Sequence, residues 1–209
     1  MSVADPDIQT HPQRPSNLPT HKKEQFAMGN KLSGQNAQEA GSSSASAKLP
    51  VVCGEEVMSA KAHGTTATAV QESLRWSCKR ETADKICSYN RHYAEHSGYW
   101  KETTFFRDVK AEGLDQEGKT ITFYDSVSGA PLFTAPKGRT FADFVRESEA
   151  HGWPSFRDAE VHWEHVRCLK NGEAVSTVGT HLGHNLPDRN GNRYCINLVS
   201  VAGAPNDAE

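Results

Sequence analysis

No run of this chain is apolar for long enough to cross a bilayer as a helix, which takes about 20 consecutive apolar residues. Basic charge is not in excess either. The 23 Lys and Arg face 26 Asp and Glu, giving a net charge of -3 and a pI near 6.4. A nucleic-acid backbone or an acidic membrane surface would call for a basic face, so neither is an expected partner. Apolar residues are scarce overall, at 36% with a mean hydropathy of -0.67, so the 209 residues leave room for one ordinary domain and a good deal of tail. The first residues, Met1-Ser2-Val3-Ala4-Asp5-Pro6-Asp7, lack both the apolar core of a signal peptide and the Arg-rich, acid-poor character of a transit peptide. The expectation is a soluble cytoplasmic monomer, with the mitochondrion left open. Five cysteines are an odd number, and in a reducing compartment they read as thiols rather than a disulfide framework.

The scarcity of apolar residues is concentrated in residues 1–64, which are rich in Pro, Gln, Asn and Ser and contain Gly41-Ser42-Ser43-Ser44-Ala45-Ser46-Ala47. Such a segment cannot bury enough apolar surface to offset its ordering entropy, so a disordered tail is expected. Val70, Leu74 and Cys78 then recur at helical spacing, as do Ile86, Tyr89 and Tyr93, with Thr82 as an N-cap for the second set. Two short helices are expected. Beyond Trp100 the pattern turns to strands: Thr120 to Tyr124, Leu132-Phe133 after a turn at Ser128 to Pro131, Asp158 to Cys168, and Ala174 to His181. A short amphipathic helix over Thr140 to Glu149 interrupts them, ahead of Trp153-Pro154, where the proline holds Trp153 extended. The pattern predicts a mainly β fold, a compact antiparallel domain with short N-terminal helices.

The chemistry is concentrated between His181 and Asn197. Tyr194 onward is β-prone, so Arg193, Cys195 and Asn197 share one face and Tyr194, Ile196 and Leu198 the other. Asn190-Gly191 is a strong hairpin signal that folds the His184 segment back on this strand. A two-residue turn would set Asp188 opposite Arg193, Leu186 opposite Cys195 and His184 opposite Asn197. Pro187 has no N–H for such a ladder and favours a wider loop. A bulge at Gly183 would bring His181 round to the side of His184. A cysteine attacks only as its thiolate; Arg193 would favour that form, and an imidazole in reach would serve as acid or base. An inert core cysteine is the plainer alternative, disfavoured by four polar partners on the face of Cys195.

Gly129-Ala130-Pro131-Leu132-Phe133, Gly152-Trp153-Pro154-Ser155-Phe156, His181-Leu182-Gly183-His184, Pro187-Asp188 and Arg193-Tyr194-Cys195-Ile196-Asn197 come in the order and approximate spacing of the methionine-R-sulfoxide reductase (MsrB) family, which the chain resembles from about residue 85 to about residue 202. The resemblance implies two antiparallel sheets and reduction of the R epimer of methionine sulfoxide, with thioredoxin as the reductant. It divides the chain into a tail over 1–64, a helical lead-in over 65–84, a catalytic domain over 85–203 and a short tail over 204–209. It also implies roles: Cys195 as nucleophile, His181 and His184 serving the sulfoxide oxygen, and Asp188 and Asn197 holding the surroundings. Arg193 would favour the thiolate, and Trp153, with Phe156, would receive the substrate methyl group. A binding module on the same scaffold, or a reductase of free rather than peptide-bound methionine sulfoxide, remains an alternative.

Two departures from the family pattern stand out. Many members hold a structural zinc with two Cys-x-x-Cys pairs. Here Asp125 and Ser128 stand at the first pair, and Val175 and Val178, or Cys168 alone, at the second. The zinc-less form of the family is expected, with no cofactor. His151 stands where some members carry a resolving cysteine, which leaves Cys87 first and Cys78 second as candidates for that role. Direct reduction of the oxidised Cys195 by an external thiol is the alternative.

Overall fold

In the computed structural model the described residues are 48–206. Two antiparallel sheets form the body. β1 (Ile121–Tyr124) pairs with β2 (Pro131–Ala135). The second sheet holds β3 (Ser155–Phe156), β4 (Val166–Cys168), β5 (Glu173–Ser176), β6 (His181–Asn185) and β7 (Tyr194–Ile196) in the order β3-β7-β6-β5-β4. The helices are short: α1 (Arg80–Asp84) running into a π-helical turn at Lys85–Tyr89, α2 (Tyr99–Glu102), α3 (Phe105–Ala111) and α4 (Phe141–His151).

An aromatic core joins the two sheets. Phe123, Phe133, Phe144 and Phe156 have no exposed surface, and Phe133 stacks on Phe156 with ring centroids 4.3 Å apart. Ring pairs of this kind add about 0.5–1.5 kcal/mol beyond the area they bury. Thr140 starts α4 with a reciprocal capping box: its hydroxyl accepts from the Asp143 N–H, while the Asp143 carboxylate accepts from the Thr140 N–H. Gly152, at φ 89°, ends the helix and turns the chain into Trp153 and β3.

Several expectations need correction. Val70 and Cys78 are buried and Leu74 packs on the core, yet no helix carries them; a single 3-10 turn, Arg75–Ser77, interrupts an extended segment. Its N–H groups are committed elsewhere, Gln71 to the Ser126 carbonyl and Arg75 to the Ala202 carbonyl. A spacing of four suits a helix, but it is also a multiple of the strand period, so the sequence pattern could not separate them. The next helix begins at Arg80, with Lys79 and not Thr82 at its N-cap, and Tyr89 and Tyr93 are exposed instead of sharing the buried side of Ile86. Residues 174–181 are not one strand: a turn through Thr177 and Gly179 splits them into β5 and β6. In 158–168 only the last three residues are strand, after a 3-10 turn at Asp158–Glu160.

The expected tail also ends before residue 64. Residues 48–64 lie among the described residues, and the Val51 carbonyl accepts from the Cys168 N–H while the Cys53 N–H donates to the Cys168 carbonyl, both at 2.9 Å. Pairing with the open edge of β4 satisfies backbone groups that composition alone does not register. Met58 is buried nearby with Leu169 and Val175. The rest of that expected tail, 1–47, and residues 207–209 at the C-terminus lie outside the described residues.

Candidate active site

The β6–β7 hairpin builds the site. Cys195 pairs with His184, Asn185 with Tyr194 and Gly183 with Ile196, a register two residues from that of a turn at Asn190-Gly191. The reversal is a two-residue turn one position earlier, at Arg189-Asn190: Asp188 and Gly191 exchange both backbone bonds and the Leu186 N–H donates to the Arg193 carbonyl, in the same register as the strands. The wider loop expected from Pro187 does not form, because Pro187 falls between these two bonded pairs, where no N–H is required. A shift of two preserves which side chains share a face, so the polar grouping survives it. Against β5, the strand β6 is irregular: Gly183 pairs with Ala174 but His181 with Val175, leaving Leu182 as the extra residue. This bulge brings the imidazoles of His181 and His184 to a centroid distance of 5.8 Å, edge to face.

A cavity of about 260 Å³ lies over this surface, lined by Cys195, His181, His184, Gly183, Asn197, Trp153, Leu186 and the segment Arg91 to Ala94. The Cys195 thiol is half-buried; burial raises its pKa, and the neighbouring Arg193 guanidinium opposes that rise. Arg193 is itself buried, and among the described residues its Nε and Nη1 have no hydrogen-bond acceptor. The neighbouring Cys195, as its thiolate, would supply one. Burial, then the neighbouring His181, lowers the pKa of His184, which favours its neutral ring. Asn197 donates from Nδ2 to the Leu182 carbonyl, which ties the end of β7 to the bulge.

The other expected site residues lie elsewhere. Asp188 does not line the cavity: its carboxylate is held by Arg157 at 2.8 and 3.0 Å and accepts from the Asn190 N–H, which keep it well below the usual carboxylate range. It fastens the hairpin loop, and it approaches the site only through Arg193, whose Nε is 3.7 Å away. Phe156 is wholly buried in the aromatic core. Its neighbour Ser155 is the residue that pairs with Cys195. Cys87 and Cys78 are buried and neither lines the cavity; the Cys87 Sγ donates to the Ser200 hydroxyl at 3.6 Å. Burial pushes both thiols up. Cys168, also buried, is pushed up to about 12.

The residues standing at the expected zinc pairs are arranged differently. Asp125 is fully buried and accepts from the Thr180 hydroxyl at 2.9 and 3.0 Å and from the Val127 N–H at 2.9 Å, and burial outweighs these bonds to raise its pKa. Val175 sits in an apolar cluster and Val178 is exposed. One committed carboxylate, the Ser128 hydroxyl and two aliphatic side chains, or the single buried Cys168 in their place, do not supply the donors that a tetrahedral zinc needs. Among the described residues no group of three or more His, Cys, Asp or Glu side chains is arranged for a metal.

Two carboxylates emerge only from the structure. Glu173 Oε1 lies 2.8 Å from His181 Nδ1. Glu95 is buried, and its carboxylate accepts from the Leu198 and Val199 N–H groups at 2.8 and 3.1 Å. Its carbonyl accepts from Trp153 Nε1 at 3.0 Å, and its own N–H donates to Asn197 Oδ1 at 3.1 Å. Glu95 thus clamps together the cavity wall, the indole and the end of the Cys195 strand. Burial, only partly offset by the two backbone bonds, raises its pKa to about 7 from an ordinary 4.5. In that window the folded protein binds the proton more tightly than the unfolded chain, so this contribution to stability is complete below pH 4.5 and is lost as pH rises through 7. Thermal unfolding of wild type and Glu95→Gln from pH 4.5 to 8 is expected to show the difference between them (wild type minus variant) falling by on the order of 2–3 kcal/mol. A difference that stays constant with pH would refute the assignment. Comparing the two proteins cancels the histidines, among them His184, whose lowered pKa acts in the opposite sense.

A mainly β domain thus presents a half-buried thiol, beside a guanidinium, in a cavity that two imidazoles and an indole also line, a site suited to thiol chemistry. The chain is similar to the peptide methionine sulfoxide reductase MsrB of Methanosarcina mazei, 29% identical over 103 residues that make up 44% of this chain and 74% of that protein. It is also similar to the peptide methionine sulfoxide reductase MsrB of Methanosarcina barkeri, 27% identical over 104 residues, 44% of this chain and 72% of that protein. No family model and no solved structure matches. The chain is related to the MsrB family. Among the described residues no helix is long and apolar enough to cross a membrane.

Proposed function

We propose that the protein is a peptide-methionine (R)-S-oxide reductase acting through Cys195. The observation that carries this reading is the meeting of Cys195, His181, His184 and Trp153 around one small cavity. The Cys195 thiolate attacks the sulfoxide sulfur, and an imidazole gives a proton to the sulfoxide oxygen as negative charge builds there. The oxygen passes to the cysteine sulfur. Methionine leaves with its sulfur reduced by two electrons, and Cys195, oxidised by two, becomes a sulfenic acid. A dithiol protein such as thioredoxin then returns Cys195 to the thiol, releasing water and taking the disulfide. Cys87 and Cys78 could take part in that step only after the buried segments that hold them open, whereas the half-buried Cys195 is open to direct attack by the incoming dithiol.

The indole of Trp153, fixed by its bond to the Glu95 carbonyl, offers an apolar wall for the sulfoxide methyl group, and this supports selection of one epimer. The donors around Asp125 support a protein that works without zinc. With dithiothreitol as reductant and a chelator present, the protein is expected to reduce an N-acetylated, amidated methionine-R-sulfoxide and to leave the S epimer untouched. Turnover of the S epimer at a similar rate, or activity that the chelator removes, would refute this reading.

A further inference from the structure

His181 is tied into a relay that leads away from the cavity. Its Nδ1 is 2.8 Å from Glu173 Oε1. Arg91 donates from Nε to both oxygens of Glu173 at 3.0 Å, and from Nη2 to Oε2 at 2.7 Å and to Glu55 Oε2 at 2.8 Å. Glu173 and His181 are each almost fully buried. Burial would raise the Glu173 pKa, but the hydrogen bonds from His181 and Arg91 outweigh it and hold the carboxyl at about 2. An ionised carboxylate can only accept, so Nδ1 carries a proton and Nε2 is the nitrogen left for the cavity that His181 lines.

We propose that Glu173 and Arg91 are positioning residues of this site, which set the tautomer of His181 and hold its ring in place. The proposal rests on the reductase reading, in which a protonated imidazole serves the sulfoxide oxygen. Glu173 holds the ring by its Nδ1 proton, and Arg91, bonded to both oxygens of the same carboxylate, holds Glu173 in place. The charged and titratable groups facing His181 are Glu173 on β5, His184 on β6, Cys195 on β7, and Arg91 and His92 on the segment after the π-helical turn. Glu55 reaches His181 only through Arg91, and Glu95 stands beyond Cys195.

The split between kcat and KM and the tautomer of His181 separate a positioning role from general structural support. With methionine-R-sulfoxide and dithiothreitol, Glu173→Gln is expected to lower kcat by roughly 10²-fold with KM changed by less than about 3-fold. Arg91→Met, which leaves the Glu173–His181 bond in place, is expected to lower kcat less than Glu173→Gln does. Unchanged kcat in Glu173→Gln would overturn the proposal. A second arm does not depend on turnover: ¹⁵N spectra of the imidazoles, with His181→Gln for assignment, are expected to show His181 protonated on Nδ1 in wild type and that signal lost or moved in Glu173→Gln. A wild-type His181 protonated on Nε2 alone would overturn the proposal. If wild type does not reduce the sulfoxide, the reductase reading fails, and the imidazole arm still decides whether the relay exists.

Discussion

Cys195→Ser is expected to lower turnover of methionine-R-sulfoxide by roughly 10⁴-fold or more, the scale seen when a nucleophile is removed from a site whose groups act together. A serine hydroxyl near pH 7 has almost no alkoxide, and oxygen is a poor nucleophile toward a sulfoxide sulfur. The step that starts the reaction is therefore lost. Folding should scarcely change. The position is half-buried, paired through its backbone with His184 and Ser155, and serine is nearly isosteric with cysteine. A change within about 1 kcal/mol, or roughly 2–4 °C in Tm, is expected. Measured together, activity and thermal unfolding decide the matter. A serine variant that still turns over would move the nucleophile elsewhere, and one that fails to fold would make Cys195 a structural residue.

The grouping of Cys195 with His184 and Asn197 could be read from the sequence because each inference was local. Alternation sets the faces of β7 and Asn190-Gly191 places the reversal to within one residue, whereas the wider loop expected from Pro187 does not form, since the Asp188–Gly191 and Leu186–Arg193 bonds keep the register of the strands. The bulge that turns His181 toward His184 was legible from a single glycine. What could not be read depends on distant pairing. Glu95 bonds to residues 102 to 104 positions away, and nothing in its own neighbourhood distinguishes it from a solvated acid. Glu173 and Arg91 meet across 82 positions. Phe156 illustrates the same limit: it is opposite Tyr194, on the core side of the sheet, but only the β3–β7 pairing, absent from any local pattern, says so. Asp188 sits at the tip of the hairpin, beyond the cavity, and its partner Arg157 is 31 positions away.

Gly183→Ala is expected to destabilise the protein and disable the site together, because this position has no room for a side chain. A Cβ there would lie 2.1 Å from the Cys195 carbonyl oxygen and 3.0 Å from the Ile196 Cα, and both are backbone atoms of β7 that cannot rotate away. The strand carrying the nucleophile would have to move by about 1 Å to restore ordinary contact, and a misplacement of that size at a reacting group costs about 10²-fold in rate. The bulge that sets His181 beside His184 would be disturbed as well. Overpacking against fixed backbone costs typically about 1–3 kcal/mol, with strained backbone adding a similar amount, so a Tm lowered by roughly 10 °C is expected. Gly191→Ala is the control. Its φ of 108° is also one that alanine rarely adopts, but no atom lies within 4 Å of the added Cβ. Only the conformational cost of about 1–2 kcal/mol applies there, with kcat kept within about 2-fold. If Gly183→Ala matched Gly191→Ala in both Tm and kcat, the close approach of β6 and β7 at the bulge would not be what holds Cys195 and the two imidazoles in register.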